Sequence, residues 1–178
     1  MAVPTPLFTT IPWLQLVFAI TLIFVSGIAW TFNLWLLPII KLNTSTSAIA
    51  QFSEVSRRGA RWLDPLNAAI AVCLMIIAVL QSQHPEPVEA AQWKSFAGAS
   101  CTLFQVAWWE RVMIFWLDDA AVALKDDRGN FKGGEGVWLR EVAQVEFRSI
   151  VDLWGRRHAV RATLPLLAAL ILLAPRVL

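Results

Sequence analysis

The first forty residues carry no charged side chain, and Lys41 is the first charged residue along the chain. About twenty apolar residues are enough to cross the roughly 30 Å hydrocarbon core of a bilayer as a helix. The rest of the chain is also apolar, because 57% of its 178 residues are hydrophobic and only 16% are charged. These features predict an integral membrane protein and exclude a disordered chain or a disulfide-rich secreted domain. A net charge of +2 gives no argument for a nucleic-acid partner.

Backbone polar groups in lipid must be satisfied within a helix or a closed barrel, so we expect each long uncharged gap to form a helix. These gaps predict four spans, at about 11–37, 65–81, 95–117 and 158–175. We expect Pro38 to end the first span and Pro65 to begin the second. The stretch 118–157 is predicted to be a hydrophilic loop followed by a cytosolic amphipathic helix that leads into the fourth span. The sequence therefore predicts an all-α fold, an integral membrane four-helix bundle forming a single domain over 1–178.

Lysine and arginine are concentrated in two of the predicted connections. Four lie between Lys41 and Arg61, and eight lie between Lys125 and Arg161. Because basic residues are enriched on the cytosolic side of membrane proteins, both termini are expected to be lumenal or extracellular. In a eukaryotic cell the expected membrane is the endoplasmic reticulum.

Glu110 and Arg111 are charged residues inside the third predicted span, and charges at this depth are candidates for function. Neighbours in a helix point about 100° apart, so we expect Glu110 to seek a cation on another helix. Glu110 lies about 12 Å from the cytosolic margin, at 1.5 Å per residue. His158 and Arg161 lie about 6 and 10 Å from that side on the fourth helix. Helix four therefore offers Glu110 a partner at a similar depth.

Trp154, His158 and Arg161 follow one another at spacings of four and three, which places them on one face of a helix. An aromatic plate, an imidazole and a guanidinium together could bind a flat molecule, take a proton from it and stabilise the oxyanion. The same residues also fit an interfacial cap in which the arginines reach toward lipid headgroups. The residues alone leave both interpretations open.

Other side chains extend the candidate site. Trp109 lies next to Glu110 and is a candidate pocket wall, whereas Asn67 also fits an ordinary hydrogen bond between membrane helices. The sequence has no metal-ligand pattern, because its two histidines are predicted on opposite sides of the membrane, and it has no nucleotide-binding motif. We therefore expect no metal and no cofactor.

Two segments resemble the anthrone oxygenase family, small four-helix membrane proteins of fungal polyketide gene clusters and of bacteria. The first segment is Trp-Glu-Arg-Val-Met-Ile-Phe at 109–115, and the second is Leu-Trp-Gly-Arg-Arg-His-Ala-Val-Arg at 153–161. The Trp-x-x-x-His/Asn-x-x-Arg spacing in the second segment is the most recognisable feature. Many relatives carry a Pro-Thr-Asn-like turn after helix three, where this chain has Asp118 in place of the Asn.

The resemblance implies oxidation of an anthrone-like aromatic polyketide by O2, without metal or flavin. It implies that His158 is the base, that Glu110 orients it or substitutes for it, and that Arg161 stabilises the oxyanion. Trp154, Trp109 and Trp62 would then be walls of the pocket. The expected substrate-binding set is completed by Asn67, Arg111 and Asp118. The expected partners are a lipophilic aromatic substrate, O2 and membrane lipid, and a monomer and a homo-oligomer are both open.

Two other functions remain open at this point. A carboxyl group such as Asp118 or Glu110 could act as the general acid of a cofactor-free cyclase or isomerase of a natural product. The amphipathic stretch 137–154 could instead dock on a partner, which would make the chain a small membrane scaffold protein. Turnover without oxygen separates a cyclase from an oxygenase.

Overall fold

The structure, a computed structural model, describes residues 6–43, 46–124 and 137–177. Within these ranges the chain is helical and contains no strand, so the all-α class is confirmed for this part of the chain. The predicted hydrophilic loop at 125–136 lies outside the described residues. The helical segments, in chain order, are α1 (Pro6–Thr31), π1 (Phe32–Leu36), α2 (Leu37–Leu42), α3 (Thr46–Gln81), α4 (Pro87–Ala90), α5 (Trp93–Trp109), π2 (Glu110–Ile114), α6 (Phe115–Ala123) and α7 (Val137–Val177).

Among the described residues, three helical stretches are long and apolar enough to cross a membrane, namely Thr10–Leu42, Ser47–Gln81 and Gln144–Pro175. Large apolar side chains are widely exposed along them, including Trp13 at 71% and Phe24 at 68%. A helix with apolar residues on its exposed face as well as its buried face suits a lipid environment better than water. These helices identify a membrane protein.

Pro38 and Pro65 do not mark helix boundaries, contrary to expectation. Pro38 does not stop the first helix, which continues to Leu42, and Pro65 lies inside α3. Pro38 is tolerated because it lies in the first turn of α2, directly after the π-helical turn π1, where the lack of a backbone N–H costs least. The helix that contains Pro65 begins at Thr46, nineteen residues earlier than expected, because Ile49 and Phe52 on one face of the preceding segment are buried and stabilise its helix by packing.

The last two helical stretches are also longer than their apolar cores. The third begins at Trp93 and continues through π2 and α6 to Ala123, past the expected end at 117. The fourth, α7, runs for 41 residues without a break. The amphipathic segment therefore leads directly into the apolar segment, as the sequence predicted.

The chain forms two compact units. Unit 1 comprises Met1–Gly27, Asp64–Ala107 and Thr163–Leu178. Its buried core draws residues from α1, α3, α5 and α7, and many of them are small, such as Ala71, Ala99 and Ala168. Small residues let helix backbones approach closely in membrane proteins.

Unit 2 comprises Ile28–Leu63 and Trp108–Ala162, and contains both π-helical segments. The individual side chains of its core are larger than those of unit 1, and Phe52, Phe147 and Trp154 are buried together. Phe52 meets the other two rings edge to face, at centroid distances of 6.0 Å to Phe147 and 5.3 Å to Trp154. Such aromatic pairs add stability beyond their buried area, and they fix the part of α7 that carries the candidate site.

Candidate functional site

The predicted stripe of α7 faces the interior of unit 2. Trp154, His158 and Arg161 are 3%, 1% and 6% exposed. Arg161 therefore does not extend to solvent. Arg156, in contrast, is exposed and is free to reach the headgroups. The geometry favours the buried site over the interfacial cap for His158 and Arg161.

The imidazole of His158 is held between aromatic contacts. It stacks on Trp154 with ring centroids 4.4 Å apart and an interplanar angle of 12°. Phe32, the first residue of π1, contacts it at 5.6 Å with tilted rings. A ring packed in this way has a fixed orientation, so its two nitrogens point at defined partners.

Those partners assign the tautomer of His158. Its Nε2 lies 3.2 Å from the carbonyl oxygen of Ala29, which can only accept a hydrogen bond, so Nε2 carries the proton. Its Nδ1 lies 3.4 Å from Nη1 of Arg161, which can only donate. His158 is therefore neutral in this arrangement, with the lone pair of Nδ1 directed at the guanidinium.

Arg161 also forms a buried ion pair with Glu110 through its Nε. Both side chains are 7% exposed, so the charges meet away from bulk water. Glu110 thus pairs with a cation on another helix, as expected from the sequence. Together with His158 they form a continuous polar chain from carboxylate to guanidinium to imidazole.

Glu110 is the first residue of π2, and two hydrogen bonds join this region to α7. Arg157 donates from Nη1 to the carbonyl oxygen of Met113 at 2.8 Å, and the indole of Trp109 donates to the carbonyl oxygen of Arg157 at 3.0 Å. A π-helical turn disturbs the regular bonding of the helix backbone. A side chain from the neighbouring helix compensates here by binding the carbonyl of Met113, so the turn that carries Glu110 is tied to the helix that carries Arg161.

Asp118 lies beyond the expected third span and accepts a hydrogen bond from the hydroxyl of Ser56 at 3.0 Å. Burial raises the pKa of the Asp118 carboxyl, while the hydrogen bond from Ser56 opposes this rise. Asp118 is therefore easier to protonate than an exposed aspartate. Its neighbour Asp119 is exposed.

Glu110, Asp118, His158 and Arg161 border one cavity of about 20 Å³. Its polar lining comprises Ser56, Glu110, Asp118, His158 and Arg161, and its apolar lining includes Phe32, Phe115 and Trp154. A space of this size holds about one water molecule, and a molecule of similar size such as O2 also fits. A three-ring aromatic substrate does not fit unless side chains move.

The structure brings some of the predicted site residues together and leaves others apart. Trp62 is 71% exposed and Arg111 is exposed, and neither borders the cavity. Trp109 uses its indole to bind Arg157 and also lies outside the lining. Asn67 is buried in unit 1, so it does not belong to the unit that contains the cavity.

Several lining residues were not predicted, notably Phe32, Ser56, Gly59 and Ala60. Ser56, Gly59 and Ala60 are small and lie at helical spacings of three and four on α3. Such a stripe is typical of close helix approach in membranes, and it was the available signal. Phe32 is one of ten phenylalanines, and its sequence context does not distinguish it.

Among the described residues, no group of three His, Cys, Asp or Glu side chains is arranged to hold a metal ion. No family model matches the sequence, and comparisons with curated proteins and with solved structures also gave no match. The geometry of the site is therefore the basis on which a function is proposed.

Proposed function

We propose that the chain crosses the membrane four times, with both termini on the lumenal or extracellular side. The region 95–117 would be the additional span. Its large exposed side chains, such as Phe104, Trp108 and Val112, are apolar as lipid contact requires. The basic residues between Lys41 and Arg61 and after Lys125 support the orientation.

We propose that this membrane protein is a cofactor-independent oxygenase that oxidises a lipophilic aromatic substrate, an anthrone-like polyketide, with O2. One observation carries the proposal: a neutral, aromatic-stacked histidine and a buried arginine–glutamate pair meet at one cavity. Oxidation of an activated CH2 group by O2 needs a base, a stabilised oxyanion and exclusion of water. Each of these requirements has a candidate in unit 2.

In the proposed reaction, His158 removes a proton from the CH2 group between two aryl rings. The electron pair delocalises onto the ring oxygen, where the guanidinium of Arg161 stabilises the negative charge. One electron passes to O2, and the two radicals combine to form a C–O bond. The peroxide then loses water, so one oxygen atom remains as the ketone and the other leaves as H2O.

Arg161 links proton abstraction by His158 to stabilisation of the substrate oxyanion. Its Nη1 now faces Nδ1 of His158, and its Nε faces Glu110. A substrate oxyanion that takes over the Nη1 hydrogen bond would release the lone pair of Nδ1 for proton abstraction. Glu110 would hold the guanidinium in place during the exchange, which makes it a positioning residue in this mechanism.

The size of the cavity sets a condition on the proposal. Because the space of about 20 Å³ admits O2 but not three fused rings, the substrate must enter by displacing side chains. Phe115 is the natural candidate, since it borders the cavity and is 43% exposed. A lipophilic substrate would then arrive from the membrane rather than from water.

A second candidate function is acid-catalysed cyclisation or isomerisation of a similar substrate, and Asp118 is the observation that favours it. A carboxyl group at the cavity that stays protonated more readily than usual can act as a general acid. This reaction would need the same pocket but no O2.

The test is oxygen uptake and quinone formation by detergent-solubilised, chelator-treated protein given a trihydroxy-anthrone. A sample without protein corrects for spontaneous autoxidation, and His158→Ala is compared with His84→Ala, which changes the histidine outside unit 2. Turnover that survives chelation and is lost only in His158→Ala supports the oxygenase. Turnover that persists without O2 supports the cyclase. Folded protein without turnover under either condition contradicts both.

A further inference from the structure

Two basic side chains from different helices of unit 2 border one surface cleft. Lys41 belongs to α2 and Arg148 to α7. The amide groups of Asn43 and Gln144 lie in the lining of the same cleft. There is no room inside it for a water molecule, so a ligand would bind across its opening. Cations and amide groups brought together in this way are suited to a small anion.

The positive charge of this cleft is only partly compensated. Lys41 pairs with Asp152 of α7, and the two side chains are 31% and 50% exposed. Arg148 is exposed, and it forms no ion pair with any residue that the structure describes. Two cations and one carboxylate leave a net positive charge at the cleft. Arg148 is therefore available to an anion from outside the chain.

Large apolar side chains next to the cleft are also exposed. Leu42 follows Lys41 and is 81% exposed. Val145 follows Gln144 and is 67% exposed. An inorganic anion gains nothing from such neighbours, whereas a lipid presents a charged headgroup and apolar chains together. Lys41 ends the forty uncharged residues of the first membrane helix, so we place the cleft at the level of the lipid headgroups.

We propose that this cleft binds the phosphate group of an anionic phospholipid. The guanidinium of Arg148 is the main contact, because arginine can donate two parallel hydrogen bonds to phosphate oxygens. The ammonium of Lys41, which Asp152 holds in place, is the second contact. The lipid thus bridges α2 and α7. The inference goes beyond the proposed oxygenase, and none of these residues borders the cavity that contains His158.

The experiment is calorimetric titration of the purified full chain in an uncharged detergent, with protein-free micelles as the blank. Three ligands are compared, namely a short-chain phosphatidylglycerol, a phosphatidylcholine with the same acyl chains, and inorganic phosphate. We expect phosphatidylglycerol to bind most tightly, because the trimethylammonium group of phosphatidylcholine repels the cations and inorganic phosphate has no apolar chains. Equal affinity for the two lipids overturns the proposal. Inorganic phosphate that binds as tightly as phosphatidylglycerol overturns the assignment to a lipid.

Two variants and a matched control locate the site. Arg148→Gln should weaken binding of phosphatidylglycerol by about tenfold, the usual effect of losing a charge-assisted hydrogen bond. Its side chain is exposed, so the variant should keep its fold. Arg58→Gln is the control, because it removes the same charge from an exposed arginine that pairs with Glu54 and does not border the cleft. It should leave the affinity nearly unchanged.

Asp152→Asn should change the affinity in the opposite direction. It removes the carboxylate that competes with phosphate for Lys41, so phosphatidylglycerol should bind more tightly. If the Lys41–Asp152 pair only held the helices together, its loss would weaken binding or leave it unchanged. Equal weakening by Arg148→Gln and Arg58→Gln overturns the proposal, and so does weaker or unchanged binding in Asp152→Asn. The titrations use no aromatic substrate, so their result does not depend on the oxygenase assay.

Discussion

Breaking the Glu110–Arg161 ion pair should destabilise the protein much more than removing both charges at once. Both side chains are 7% exposed, so neutralising either one leaves a charge in a poorly hydrated interior. Loss of one partner of a buried pair typically costs about 3–5 kcal/mol, whereas replacing both by neutral groups of similar size is often close to neutral. We therefore expect Glu110→Gln and Arg161→Met each to lose about 3–5 kcal/mol, with a coupling of at least about 3 kcal/mol.

The assay is reversible unfolding in mixed micelles, following helix content as the fraction of denaturing detergent rises, for wild type, both single variants and the double variant. The control is the Lys41–Asp152 pair of the same unit, whose side chains are 31% and 50% exposed. Its cycle should give at most about 1 kcal/mol, because exposed pairs are solvated and screened. Additive losses at Glu110 and Arg161, or a coupling no larger than that of the control pair, would refute the reasoning.

The other predictions concern His158 as the base, the pH dependence that Asp118 gives to stability, the close approach of Gly155 to Leu37, and the orientation of the chain in the membrane. His158→Ala should lower the rate of quinone formation by roughly 10²–10⁴-fold, the usual contribution of a general base, whereas a drop below tenfold in single-turnover assays would argue against that role. Because its folded pKa is raised, Asp118 stabilises the fold fully below its unfolded pKa, and this stabilisation is lost as pH rises through the folded pKa; unfolding measured against pH should lose that dependence in Asp118→Asn. Gly155→Ala puts a Cβ 2.8 Å from Cδ1 of Leu37 and should be about 1–3 kcal/mol less stable than Gly27→Ala, in which helix propensity changes alike but no contact forms. In a chain with Cys73 and Cys101 replaced by alanine, His84→Cys should react with an impermeant maleimide from the lumenal or extracellular side, and labelling only after permeabilisation would contradict the proposed orientation.

The fold was predictable from the sequence where charge and hydropathy decide it, and less so at the helix ends. The absence of charge before Lys41 was enough to predict a membrane helix. Proline, however, is a weaker boundary in membrane helices than in soluble ones, since neighbouring groups can satisfy the freed backbone carbonyl. Pro38 and Pro65 both lie within longer helical stretches.

The candidate site was predictable where it depends on spacing within one helix. The spacing of four and three placed Trp154, His158 and Arg161 on one face, and depth counting paired Glu110 with Arg161. The resemblance was less informative about the further pocket walls. Trp62 is exposed and does not border the cavity, since a resemblance carried by 109–115 and 153–161 does not say which face of another helix a side chain occupies.

The residues that α5, π2 and α6 bury were the hardest to predict. Lipid-facing and buried residues are equally apolar in a membrane protein, so hydropathy does not separate them. Trp108, Val112 and Phe115 are exposed, although their hydropathy resembles that of the buried Val106 and Ile114. The buried residues of this stretch include Val106, Glu110 and Ile114, which have two successive spacings of four. Two α-helical turns take about 7.2 residues, so eight residues leave nearly one in excess.

The π-helical turn at Glu110–Ile114 accommodates that extra residue. Glu110 and Ile114, the first and last residues of this turn, both lie on the buried side. The hydrogen bond from Arg157 to the carbonyl of Met113 stabilises the turn from α7. The helix that supplies Arg161 thus also stabilises the backbone distortion that presents Glu110 to it, so the ion pair and the π-turn depend on the same contact between helices.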